Sequence, residues 1–117
     1  MDASTTNAAL HFAPKFAALG HEARLAVVRV LLAAHPDGLV VGEIQQEVEI
    51  PPSTLSHHLD ALQREGLVRV EREGKYLRYR ADADGLRELL AFLYVECCTR
   101  SRLVPLNPAA WPQGARV

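Results

Sequence analysis

Ser53-Thr54-Leu55-Ser56-His57-His58-Leu59-Asp60-Ala61-Leu62-Gln63-Arg64-Glu65-Gly66 decides how the rest of the chain is read. Leu55, Leu59 and Leu62 recur at helical spacing, while Ser53, Thr54, Ser56, His57, Asp60 and Gln63 fill the remaining faces. That periodicity predicts a helix from about Pro52 to Glu65 with one face turned inward. The prolines at 51 and 52 can lead into its first turn, and Gly66 suits the position just past its end. Beyond the glycine, Leu67-Val68-Arg69-Val70-Glu71-Arg72 alternates as a strand does. Glu73-Gly74-Lys75 then turns, and Tyr76-Leu77-Arg78-Tyr79-Arg80 returns, which predicts a β-hairpin. On the other side, a short helix from about Val41 to Val48 is stopped by Glu49-Ile50-Pro51-Pro52.

Further upstream, Leu25, Val28, Leu31 and Leu32 predict a helix over about His21 to Ala34, stopped by His35-Pro36-Asp37-Gly38. A helix from about Ala8 to Leu19 is expected to be kinked or interrupted at Pro14, behind six small polar residues expected to fray. A last helix, about Asp84 to Thr99, carries Leu86, Leu90, Leu93 and Cys97 in one stripe, widened by Leu89, Phe92 and Val95. So much apolar surface on one helix of a small domain points to a dimer seam. From Arg100 onward Pro105, Pro108 and Pro112 leave no period, so an irregular tail is expected, with Trp111 folding back on the body.

Two short helices joined by a tight turn and followed by a hairpin is the winged helix-turn-helix plan. The expected fold is therefore α+β, mainly α, with about five helices and a two-stranded hairpin wing. Residues 1–102 would form the DNA-binding and dimerisation domain and residues 103–117 the tail. A length of 117 residues suits one core and no second domain. No run of 18 apolar residues and no basic lead into an apolar stretch is present, so a cytoplasmic protein without membrane association is expected.

The formal net charge of −1 excludes nucleic-acid binding through bulk positive charge. A local surface is available, because the segment from Arg64 to Arg80 holds six basic residues against three acidic ones. In helix-turn-helix geometry the N-terminal side chains of the second helix reach base edges in the major groove. Here those would be Ser53, Thr54, Ser56 and His57, although Ser53 or Thr54 could equally serve as the helix N-cap. Arg72, Lys75 and Arg78 would lie against phosphates, the alternative being plain solvated charge. Ser56, His57 and Asp60 include nucleophile, base and acid types, but about one turn of a single helix cannot aim them as a relay, so no enzyme is expected.

Cys97 and Cys98 are the only cysteines in the chain, and they are adjacent. A disulfide between sequence neighbours closes a strained ring outside ordinary bridge geometry. Deprotonated, the pair is a compact soft dithiol suited to one thiophilic centre. The alternative is simple apolar packing.

The run Ser53 to Val68, with its Ser-His-His-Leu core and Gly-Leu-Val exit, resembles the recognition helix of the ArsR/SmtB repressors. Arg72-Glu73-Gly74-Lys75-Tyr76 is similar to their wing, and Leu19-Gly20-His21-Glu22-Ala23-Arg24-Leu25 to the opening of their second helix. The resemblance covers roughly Phe16 to Cys98 and implies homodimeric cytoplasmic repressors that release double-stranded operator DNA when an inducer binds. The family's Cys-x-Cys site is absent, with Val40 and Gly42 in its place, and no histidine follows His58 to supply the zinc ligands of the last helix. Adjacent cysteines late in that helix look like the subgroup sensing trivalent arsenicals. The implied function is an arsenic-responsive repressor, needing no cofactor, with trivalent arsenic or antimony bound by Cys97 and Cys98 as inducer. Inorganic arsenite favours three thiolates, so two thiols suit an organoarsenical better, unless an exogenous thiol, solvent or the partner subunit completes the set. The same-fold alternative is a thiol redox or persulfide sensor; the alternative of another class is a winged helix used only for protein contacts.

Overall fold

The computed structural model describes the backbone from Ala3 to Ser101, and side chains from Asn7 to Val95. In chain order it contains α1 (Ala3–Leu19), α2 (Glu22–Ala33), β1 (Leu39–Val40), α3 (Val41–Val48), α4 (Pro52–Arg64), β2 (Val68–Glu73), β3 (Tyr76–Ala81) and α5 (Ala83–Ser101). Five helices and an antiparallel hairpin thus follow the predicted winged helix-turn-helix order. The expected tail, 103–117, and Trp111 lie outside the described residues.

Three local expectations are corrected. First, α1 runs unbroken from Ala3 through Pro14 to Leu19, so the interruption is not found. Pro14 is exposed, so the helix is carried past the missing N–H by the packing of its inward residues Phe12, Phe16 and Ala18. Second, the sheet has three strands in the order β1-β3-β2, not two. β1 pairs Leu39 with Tyr79 and Val40 with Arg78, and two residues are too few to show alternation in a sequence. Third, α5 starts one residue earlier than expected and reaches Ser101.

The core gathers on α2 and α4. Val27, Val28 and Leu31 from α2, Ile44 from α3 and Leu55, Leu59 and Leu62 from α4 are buried together with Leu67, Val68, Tyr79 and Ala81 of the wing. Ala18 of α1 and Leu89 of α5 complete it. Full burial of each large aliphatic side chain contributes about 1.5–3 kcal/mol, so the three leucines of α4 dominate its attachment. Phe12 of α1 stacks on Phe92 of α5, ring centroids 4.6 Å apart.

The start of α5 is tied to the end of α4. The Asp82 N–H donates to the Leu67 carbonyl (2.9 Å), and the Asp82 carboxylate accepts from the Gly85 N–H (2.9 Å), capping α5. Gly85 lies so close to the α4 exit that a Cβ there would sit 2.1 Å from the Gly66 carbonyl oxygen. Backbone on both sides leaves nothing to yield. Gly85→Ala is therefore expected to destabilise the fold by about 3 kcal/mol, the upper end for overpacking, read from urea unfolding. Gly74→Ala, with a positive φ of 61° but open space around its Cβ, is expected to cost less.

Candidate nucleic-acid interface

α4 is mounted by one face and bare on the other. Leu55, His58, Leu59 and Leu62 are buried, while Ser53, Thr54, Ser56, His57 and Asp60 are exposed. Pro51 occupies the N-cap position with no side-chain cap, and Pro52 supplies the first turn, where its missing N–H has no cost. The capping alternative for Ser53 and Thr54 is thus not realised. Among the described residues, Ser53, Thr54, Ser56 and His57 make no side-chain hydrogen bond, so their donors and acceptors are available to a partner. The turn between α3 and α4 passes through Glu49 in the left-handed region (φ 52°, ψ 42°), its N–H donating to the Gln45 carbonyl at 3.1 Å.

The wing is less basic than its composition. Arg78 Nε donates to the Glu73 carboxylate at 2.8 Å and its Nη1 to the Gly38 carbonyl at 3.2 Å. Pairing with Glu73 raises the Arg78 pKa above its ordinary value. Arg80 pairs with Glu71, lies 3.7 Å from Glu73, and donates through Nε to the Pro36 carbonyl. Both arginines therefore brace the hairpin against the α2–β1 connection. Arg78, expected from sequence to contact phosphate, thus also has a structural role in the wing. Arg72 and Lys75 stay at the exposed tip, Arg72 Nε reaching the Gly74 carbonyl and Lys75 Nζ lying 5.5 Å from the Tyr76 ring centre. Arg69 is also exposed on β2 and has no carboxylate partner among the described residues.

His58, read from sequence only as part of the Ser-His-His-Leu motif, turns inward. It is the buried polar side chain of the core, at 6 % exposure. Its Nδ1 accepts from Arg24 Nε at 3.2 Å, which puts the ring proton of the neutral form on Nε2. The His21 ring, which caps α2 by accepting from the Ala23 N–H, lies 4.7 Å from it. Burial first, then the neighbouring His21, Arg24 and His57, hold the His58 pKa below its ordinary 6.5. The spacing 55-58-59-62 could have revealed this inward position, since 58 completes the helical stripe.

Leu90 and Leu93 of α5 are about half exposed, as are Leu25 and Leu32 of α2, and Leu10 of α1 is 70 % exposed. Leu89 and Phe92, by contrast, turn inward, so the predicted stripe is divided between core and surface. Leu25, Leu32 and Leu90 line an apolar groove of about 420 Å³ between α1, α2 and α5. The backbone of α5 carries positions 97 and 98, but the side chains of Cys97 and Cys98 lie outside those described. Among the described residues no cluster of three or more histidine, cysteine or acidic side chains could hold a metal ion, and no helix is long and apolar enough to cross a membrane.

Residues 19–71 match the helix-turn-helix domain family HTH_20. YbzH of Bacillus subtilis (strain 168), an uncharacterized HTH-type transcriptional regulator, is 33 % identical over an alignment covering 69 % of this chain and 93 % of YbzH. The chain belongs to the HTH-type transcriptional regulators. A biofilm growth-associated repressor of Xylella fastidiosa (strain Temecula1) is 32 % identical, covering 72 % of this chain and 71 % of the repressor. Among solved structures, an ArsR-like transcriptional regulator from Rhodococcus sp. RHA1 superposes with a TM-score of 0.68 at 25 % identity, covering 82 % of this chain and 88 % of that one. Reduced HlyU from Vibrio cholerae N16961 gives 0.65 at 26 %, covering 81 % and 97 %. The homodimeric winged helix-turn-helix DNA-binding domain of Mb0332 from Mycobacterium bovis, a possible ArsR-family regulator, gives 0.64 at 24 %, covering 86 % and 90 %, a likeness of fold.

In this regulator His58 links stability to pH. The unfolded chain takes up the imidazole proton near pH 6.5 and the folded chain only below that. Between those values the unfolded state binds more protons, so stability falls as the solution is acidified through this window. Urea midpoints at about pH 7.5 and about pH 5.5 should therefore differ more for the parent than for His58→Phe, which keeps the buried face filled and removes the titrating group.

Proposed function

We propose that the regulator is a homodimeric repressor that binds operator DNA through α4 and the wing tip, and is released when a trivalent arsenical or antimonite binds Cys97 and Cys98. The observation that carries the DNA reading is the two-sided character of α4. Its apolar side is fully buried, and the opposite side presents Ser53, Thr54, Ser56 and His57 with unspent hydrogen-bonding capacity. Such groups on a rigid helix can read base edges, while Arg72 and Lys75 position the wing on phosphates. Repression follows the Xylella relative's description, and dimerisation follows that of the Mb0332 domain. The half-exposed leucines of α2 and α5 supply apolar surface for a second copy.

The inducer reading rests on the donor chemistry of Cys97 and Cys98 and on their helix. Vicinal thiolates suit a soft trivalent centre already carrying one carbon substituent, and α5 is joined at its other end to the α4 exit through Asp82, Gly85 and Gly66. A ligand favouring a different packing of α5 between the two subunits would shift the spacing of the paired recognition helices. A hundredfold loss of DNA affinity corresponds to a coupling of about 2.7 kcal/mol. The similar HlyU from Vibrio cholerae N16961 is known in a reduced form, which supports a second function in which the two thiols respond to oxidants or persulfides.

Fluorescence anisotropy on a duplex recovered by the protein from a random-sequence pool tests these readings. Binding should weaken steeply with salt through counterion release. A flat salt response would sink the DNA reading in favour of a protein-contact module. Phenylarsine oxide should release the duplex at lower concentration than arsenite, and Cys97→Ser or Cys98→Ser should abolish release without changing affinity for DNA. If both variants still release like the parent, arsenic sensing at these thiols is wrong. Mass spectrometry after polysulfide treatment separates the second reading, which requires a bridged or polysulfide adduct that accompanies loss of binding.

A further inference from the structure

We propose that Arg24 is a phosphate contact of the operator, held in position by the neutral imidazole of His58, so that the regulator grips the DNA backbone beside α4 as well as at the wing. The inference rests on the DNA-binding reading above and adds a site to it. A cleft of about 320 Å³ runs between α1 and α4, bounded by Pro14, Ala18, Arg24, His57, Ala61 and Arg64. Two of these side chains, Arg24 and Arg64, are cationic. His57 belongs both to this cleft and to the exposed face of α4, so the cleft opens directly beside the groups that would read bases.

Arg24 is partly buried, and among the described residues no carboxylate pairs with it. Its one side-chain hydrogen bond runs from Nε to His58 Nδ1 (3.2 Å), which leaves both terminal nitrogens of the guanidinium to donate elsewhere. A planar fork fixed at Nε and free at its tips suits a phosphate oxygen pair. Glu65 also borders the cleft. Its backbone carbonyl is taken by Lys15 Nζ at 2.6 Å, and no ion pair joins its carboxylate to Arg24 or Arg64 among the described residues. The groups facing His58 are His21 and Arg24 from the start of α2 and His57 on its own helix, and no acid is among them. Protonating His58 would remove the acceptor for Arg24 and add a cation beside it. Acidification should therefore loosen the Arg24 contact.

The experiment measures anisotropy on the recovered duplex across a salt series for the parent, Arg24→Gln and His58→Phe. A glutamine amide can still donate to His58 Nδ1, which favours retention of the fold, and unfolding midpoints report it. Losing one phosphate contact in each subunit should reduce the slope of log affinity against log salt by about 1.8 per dimer. Affinity should fall about tenfold near 0.1 M salt. His58→Phe leaves the charge of Arg24 in place but removes its anchor. It should lower affinity by a smaller factor, measured where unfolding midpoints show the variant folded, and the ratio of parent to variant affinity should shrink toward one on acidification. A parent that binds with a steep salt slope, together with an Arg24→Gln variant of unchanged slope and affinity, overturns this proposal and leaves the DNA reading standing. A parent that recovers no duplex overturns the DNA reading itself. Should Arg24→Gln unfold, an affinity of His58→Phe equal to the parent's at every pH overturns the proposal.

Discussion

The removal of Leu55, Leu59 and Leu62 from water is the interaction on which the molecule depends. These side chains have no accessible surface, and their neighbours come from α2, α3 and the base of the wing. Without that contact α4 would be an isolated 13-residue helix opened by two prolines, too short to hold its conformation alone. With it, the polar side of α4 is fixed outward and cannot roll. The outward surface is thus fixed by the buried one, because a helix pinned along one stripe has no freedom left in the orientation of the other.

Charge is handled with similar economy in the wing. A net charge of −1 would be a poor basis for attraction to a polyanion were the acids spread at random. Glu71 and Glu73 instead face Arg78 and Arg80 across the β2–β3 ladder, with Glu71 directly opposite Arg78 and Arg69 opposite Arg80. Exposed pairs of this kind contribute little stability each. Their larger effect is on the field outside, where the acids of the wing are offset within the sheet and Arg69, Arg72 and Lys75 are left facing solvent.

The helices, the hairpin and their order were legible in the sequence because each long element carries a clean period, and the recognition helix carries the cleanest. β1 was not legible, because Leu39 and Val40 form a strand only through pairing with Tyr79 and Arg78, forty residues away in sequence. The pairing of Arg78 was not legible for a related reason. A basic residue near a hairpin tip looks free until the positions of Glu73 and Gly38 in space are known. His58 was read as part of a motif, although its position in the leucine stripe already argued for burial; its bond to Arg24 joins two helices and leaves no local mark. Cys97 and Cys98 stood out from sequence alone because adjacency is itself local information.

The seating of α5 makes it a lever. Its first turn is held against the α4 exit at Gly66 and Gly85, its middle rests on α1 through Phe92, and position 97 lies roughly 18 Å beyond Gly85 at 1.5 Å per residue. Displacing the far end by ~3 Å would turn a rigid arm of that length by only ~10° at the clamped end. A given travel of the far end thus corresponds to a small rotation where α5 meets the α4 exit.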